Sequence, residues 1–163
     1  MKLKIATLTV AAGMLVVPAS ASATDAEIQQ AIKDASVKII KAEQRADRTG
    51  SAFQKNPTRT TLRKFRAAAR AEEKLVKDIA EKLEGLQPDT PTVGEGRDLI
   101  VKGLGAVGTG LDRIDKALGK AKAGKEKAAK RSIRKALEEI DEGNELIEQG
   151  EPKAGAELTP NAS

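Results

Sequence analysis

The third of four apolar stripes constrains the fold of this chain more than any other feature. It runs Val93, Arg97, Ile100, Leu104, Val107, Leu111, Ile114, Leu118, Ala121, in alternating steps of four and three. It passes through "GLGAVGTG", residues 103–110, without a change of phase. Within that segment Gly103, Gly105 and Gly108 spell G-x-G-x-x-G, the dinucleotide-binding pattern, with apolar "DLIV" before it and helix-like "LDRIDKAL" after it.

The stripe decides between the two readings. Written as alternating d and a positions of a heptad, it places Gly96, Gly103, Gly110 and Ala117 at successive g positions, with Gly124 next. A nucleotide loop has no reason to repeat a small residue every seventh position. A helix whose backbone lies close to a neighbour does, because only small side chains let two backbones approach. A Rossmann site also needs a βαβ unit and an acid about 20 positions on. Glu126, inside a lysine-rich run with no strand pattern, is the sole candidate for that acid. These glycines are read as packing residues, and neither a nucleotide nor any other cofactor is expected.

Three further stripes share the period. The first is Ile28, Ile32, Ala35, Ile39, Ala42, Ala46, Thr49, Phe53; the second is Leu62, Phe65, Ala69, Glu72, Val76, Ile79, Leu83, Leu86. The fourth is Ala129, Ile133, Ala136, Ile140, Gly143, Ile147. Thr24 and Glu27 form a capping box ahead of the first stripe, and Asn56-Pro57 can end it, with Gly50 an earlier weak point. Gly85 and Pro88 stop the second helix, and Gly150 with Pro152 stops the fourth. The pattern predicts an all-α fold with helices at about 25–55, 58–86, 92–122 and 125–149. Short connections make successive helices antiparallel, so the expected architecture is an elongated up-down-up-down four-helix bundle spanning 24–150, with a three-helix bundle as the fallback. Residues 151–163 lack periodicity and are expected to be a disordered tail.

The first 23 residues are read as an address. Lys2 and Lys4 supply a positive start, "IATLTVAAGMLVV" is an uncharged apolar run of thirteen residues, and Ala21-Ser22-Ala23 is a small-x-small cleavage site. Thirteen residues fall short of the roughly 20 that span a bilayer, so a cleaved signal peptide fits better than an anchor. The expected mature chain is exported and soluble: secreted, periplasmic or wall-associated, with a bacterial origin the natural context. Removing Lys2 and Lys4 lowers the formal charge from +5 to +3.

Composition narrows the function classes. The chain has no His and no Cys, which removes histidine-assisted triads, thiol nucleophiles and typical zinc sites. It has no Trp or Tyr and two Phe, a poor basis for stacking bases or sugars. No metal site and no catalytic residue is expected. Asp141–Glu151 misses the calcium-loop spacing, since Leu146 stands where glycine is needed. Glu72 is the one acid drawn toward a core stripe; a place at the rim, or pairing with a Lys or Arg, is expected, a buried catalytic carboxylate the alternative.

Charge is distributed in blocks. Lys55–Arg70 holds six cations and no acid; Lys116–Lys135 holds nine cations against Glu126 alone; Glu138–Glu151 holds seven acids and no base. In an up-down-up-down bundle both basic blocks surround hairpin turns at one end, and the acids collect at the other. The last helix carries cations first and acids last, against the helix dipole, at about 0.3–1 kcal/mol per misplaced terminal charge. This points to Arg59, Arg63, Arg66, Lys120, Lys125, Lys127, Lys130 and Arg131 as an anion-binding end, with an anionic envelope polymer or membrane surface as the implied partner and nucleic acid disfavoured. The plainer alternative is a solvated Lys/Glu surface. A second function class is a scaffold that self-associates through helix faces or pole to pole.

Overall fold

The computed structural model describes residues 24–156 and 158; the expected signal peptide, residues 1–23, lies outside the described residues. Four helices are packed together: α1 (Asp25–Lys55), α2 (Arg59–Glu84), α3 (Pro91–Lys122) and α4 (Glu126–Ala154). No strand occurs among the described residues. At about 1.5 Å per residue the helices are some 40–50 Å long.

Local chemistry sets the starts. Glu27 N–H donates to Thr24 Oγ1 at 3.3 Å and Thr24 N–H to Glu27 Oε2 at 2.9 Å, the expected capping box. A second box, Thr58 with Thr61, opens α2. Thr90 precedes α3, but its hydroxyl caps nothing in that helix. Asp25 of α1 instead accepts from the N–H groups of Asp89 and Thr90 and from Thr90 Oγ1, at 2.9, 3.2 and 2.7 Å. The first residue of one helix thereby fixes the entry to another.

The core is concentrated toward one end. Ile28, Ile32, Val76, Leu83, Ile100, Leu104 and Leu158 are its largest fully buried side chains. At the other end the buried residues are mostly small: Ala68, Ala69, Ala117, Ala129 and Ala136, with Leu118. Packing follows chain order, most extensive between α3 and α4, then α2 with α3, then α1 with α2; α1 and α4 barely meet. Beyond Ile39 the α1 stripe (Ala42, Ala46, Thr49, Phe53) is only half-buried. The α1 tip is held to α2 by Phe53 stacked on Phe65 at 6.2 Å between centroids. The same Phe65 covers Gly50, and α1 continues through that position unbroken.

Two expectations about the C-terminal end are corrected. α4 does not stop at Gly150 but runs on to Ala154, with Pro152 inside its last turn and Gly155 (φ 69°) as its left-handed terminator. The segment 151–163 is not a disordered tail throughout, because Ala154, Ala156 and Leu158 are buried in the core cluster. Glu151 Oε1 accepts from Leu158 N–H at 2.7 Å. A Cβ on Gly155 would fall 2.8 Å from the Gln29 amide nitrogen, so this segment reaches α1 where α4 does not. Residues 157 and 159–163 lie outside the described residues.

The glycine question resolves within α3. Residues 103–110 are uninterrupted helix, and the three motif glycines face three directions. A Cβ on Gly103 would lie 2.5 Å from Gly143 O of α4, one on Gly108 would meet Val76 and Lys77 of α2 at 3.3–3.5 Å, and one on Gly105 would meet nothing. Gly96 and Gly110 face α4 as Gly103 does, an added Cβ falling 2.7 Å from Gly150 O and Ala136 O respectively. Ala117 is fully buried. The heptad ends there, since Gly124 (φ 77°) turns the chain between α3 and α4 with open space around it. Arg97, on the apolar stripe, is half-buried and donates to the Leu86 carbonyl, tying α3 to the end of α2.

Candidate functional site

The predicted anion-binding residues fall into distinct groups. On α2, Arg59, Arg63, Arg66 and Arg70 recur at steps of four, three and four, which keeps them on one helical face. With Leu62 and Ala67 of the same face and Lys122 at the end of α3, they line a groove of about 270 Å³.

Its organising residue is Asp115 of α3, the one buried charged residue among those described, at 7% exposure. Asp115 Oδ1 accepts from Arg66 Nε at 2.7 Å, and Oδ2 accepts from Arg66 Nη2 and Arg70 Nη2 at 3.0 Å each. This side-on fork is the strong geometry for guanidinium and carboxylate. The Arg66 hydrogen bond, with Arg70 adding to it, holds the Asp115 carboxyl below its ordinary range against the opposing effect of burial. Arg59, Arg63 and Lys122 enter no ion pair among the described residues. Five cations therefore line one groove, and two of them are paired with the Asp115 carboxylate.

The other basic residues lie elsewhere. Lys127, Lys130 and Arg131 are exposed on the first turns of α4 and, with Arg134, border a shallow hollow of about 350 Å³. Lys125 stands one residue before α4. Lys120 does not join Lys122: it lines a smaller hollow with Asp112, Arg113, Lys116 and Ser132, where Asp112 pairs with Lys116 at 2.5 Å. Arg113 pairs across to Glu139 of α4 at 2.5 Å. The end of α3 thus presents Lys122 toward α2 and Lys120 toward α4.

Sequence reasoning missed two lining residues of the groove, Arg70 and Lys122, and the carboxylate paired with its arginines, Asp115. Asp115 had a usable signal, since it follows Leu111 by four and precedes Leu118 by three. An acid at such a position requires a cation opposite. Glu72 sits at the rim, the first of its expected placements, rather than in an ion pair among the described residues. It is half-buried on α2 with Glu43 and Asp47 of α1 nearby, and burial first, then these two charges, push its carboxyl up to about 7.

Among the described residues no cluster of three or more acids could hold a metal ion, and no helix is long and apolar enough to cross a membrane. Family models, curated proteins and solved structures were all compared with the chain, and none matches it.

Proposed function

We propose that this chain is an exported, non-catalytic helical module that binds an anionic envelope polymer or lipid head groups through a basic end. The observation that carries this reading is the groove of Arg59, Arg63, Arg66, Arg70 and Lys122, five cations of which only Arg66 and Arg70 pair with a carboxylate, that of Asp115. Unneutralised cations in a concave, partly apolar site raise the local concentration of anions and strengthen each contact with them.

The reading takes the bundle as antiparallel, up-down-up-down. In support, contact partners descend along each helix as positions ascend along its predecessor: Glu43 lies near Glu72 and Gly50 meets Phe65; Arg66 meets Asp115, and Val76 approaches Gly108; Gly96 and Gly110 meet Gly150 and Ala136. In that arrangement the α2 groove and the α4 hollow of Lys127, Lys130, Arg131 and Arg134 flank the same end of α3 and form a basic pole. The α4 cations stand at the end of a helix that repels them, an arrangement that favours an anion bound across it.

The test is retention of the mature chain on immobilised anionic polymer and on anionic vesicles, over a salt gradient, beside a variant carrying Lys125→Glu, Lys127→Glu, Lys130→Glu and Arg131→Glu. Salt-sensitive retention that the reversal abolishes is the expected result. No retention of the wild type, or retention indifferent both to the reversal and to Arg59→Ala with Arg63→Ala, rejects the basic end as a binding surface.

Self-association is the second reading, and exposed Val37 (53%) and Leu137 (51%) favour it. Sedimentation across concentration and ionic strength tests it. Growth at low salt, lost in a Val37→Ser, Leu137→Ser variant, supports association; a fixed monomer rejects it.

A further inference from the structure

We propose that the α2–α3 groove is a cleft for a linear phosphodiester chain, laid along the arginine ladder, with Asp115 as the residue that positions two of its rungs. The proposal rests on the basic-end reading and narrows it to one groove and one ligand chemistry.

The ladder has a length and a repeat. Steps of four, three and four residues at about 1.5 Å per residue put successive guanidinium stems roughly 4.5–6 Å apart over some 16 Å. A phosphodiester chain carries one charge per repeat on a flexible backbone and can adapt to such spacing. Each phosphate also has two unbridged oxygens that diverge, so one group can accept from two neighbouring guanidiniums. Its acceptors also lie in the chain itself, whereas a polycarboxylate such as polyglutamate carries them at the ends of side chains that must be ordered on binding.

Asp115 makes the ladder more than a row of surface arginines. It engages Nε and Nη2 of Arg66 and Nη2 of Arg70, which leaves Nη1 of Arg66 and both Nε and Nη1 of Arg70 free to donate. Those two guanidiniums are ordered before any ligand arrives, and the entropy lost on binding falls accordingly. Asp115 offsets one of the five positive charges, and the groove stays strongly cationic. Arg59, Arg63 and Lys122 keep all their donors.

Shape selects among the sources of phosphate. The groove is concave and runs along a helix, and Leu62 and Ala67 contribute apolar surface to its lining. A single chain can enter it, whereas a flat bilayer would rest on its rims. Bases gain nothing here, because no aromatic side chain lines the groove and the two phenylalanines stack on each other. The occupant is therefore a polyol-phosphate type of polymer rather than a membrane or a nucleic acid.

The experiment titrates the mature chain with poly(glycerol phosphate), with polyglutamate of matched charge, and with phosphatidylglycerol vesicles. The variants are Arg59→Ala with Arg63→Ala, Asp115→Asn, and the α4 reversal described above. The expected result is poly(glycerol phosphate) bound about tenfold or more tightly than polyglutamate, and loss of about tenfold or more in the arginine double variant, whose side chains are exposed and unpaired. Asp115→Asn removes a negative charge from the site, so charge alone predicts tighter binding; positioning predicts weaker binding with the helical content retained. Equal affinity for polyglutamate, preference for vesicles, or tighter binding by Asp115→Asn overturns the proposal. Binding that survives the arginine double variant but fails in the α4 reversal overturns the groove and leaves the basic end standing. No binding by the wild type removes both.

Discussion

Gly103 and Gly143 face each other so closely that a Cβ on the first would lie 2.5 Å, and on the second 2.7 Å, from the other's carbonyl oxygen. The contact is one rung of a ladder. Gly96 opposes Gly150 in the same way, and Gly110 opposes Ala136. Ala117 and Ala129, both buried, continue the interval of seven on each helix. Small residues on both helices bring α3 and α4 into the most extensive contact in the molecule.

Gly103→Ala is accordingly expected to destabilise the chain although alanine is the better helix former. The propensity gain of about 1 kcal/mol is outweighed by backbone displacement, for a net loss of about 1–3 kcal/mol. Gly105 is the internal control: an added methyl meets nothing there, so Gly105→Ala should stabilise by about 0.5–1 kcal/mol. Urea denaturation of the two variants reads the signs directly. A Gly103→Ala variant that is stabilised as Gly105→Ala is would mean that Gly103 is not confined by α4.

Removal of the Asp115 carboxylate tests the other contact that spans helices. Asp115→Ala leaves Arg66, itself partly buried, without its fork and is expected to cost about 2–4 kcal/mol. The same contact gives a pH dependence. The folded carboxyl titrates below its ordinary value, so its contribution is present above that value and is lost as pH falls through the depressed one. Acid denaturation followed by circular dichroism should shift to higher pH in Asp115→Asn if the variant is otherwise folded. An unchanged acid midpoint would assign the acid transition to other groups.

Much of the fold was legible in the sequence, and the exceptions share a cause. The stripes and the Thr24–Glu27 box are local patterns, and each has a direct counterpart among the helices. The small residues of α3 were legible because seven-residue recurrence is itself a signal. Of their counterparts on α4, Ala129, Ala136 and Gly143 stood on the fourth stripe, but Gly150 did not, because followed by Pro152 it has the local appearance of a helix stop. Only its opposition to Gly96 shows that it packs mid-helix. The groove was half legible: Arg59, Arg63 and Arg66 stood out as a basic run, but Lys122 and Asp115 join them from another helix. Leu158 stands alone in sequence, with no periodicity to announce its burial.

Glu72 predicts a second pH effect of opposite sign. Its folded carboxyl is raised from 4.5 to about 7, so the folded state holds a proton that the unfolded chain releases in that interval. Stability due to Glu72 is therefore greatest below about 4.5 and declines as pH rises toward 7. Discounted for its partial exposure, the swing should be about 1–2 kcal/mol. Glu72→Gln should flatten this decline and raise the thermal midpoint at pH values above about 7. A variant whose stability keeps the same slope between those values would show that neither burial nor Glu43 and Asp47 raises the Glu72 carboxyl.

Leu158 tests whether the segment beyond α4 belongs to the cooperative unit. Its side chain is fully buried in the same cluster as Ile28 and Ile32, and its N–H is held by Glu151. α1 and α4 barely touch, so this segment closes a seam that helix packing leaves open. Leu158→Ala should cost about 2–4 kcal/mol, as truncation of a buried leucine does. Leu137→Ala, at an exposed position, should stay within about 0.5 kcal/mol of the wild type. Hydrogen exchange adds direction: amides in the first turns of α1 should lose more protection in the Leu158 variant than those around Phe53, which α2 holds independently. Equal losses at both ends of α1 would make the effect global unfolding; a Leu158 variant as stable as the wild type would place the segment outside the core's cooperativity.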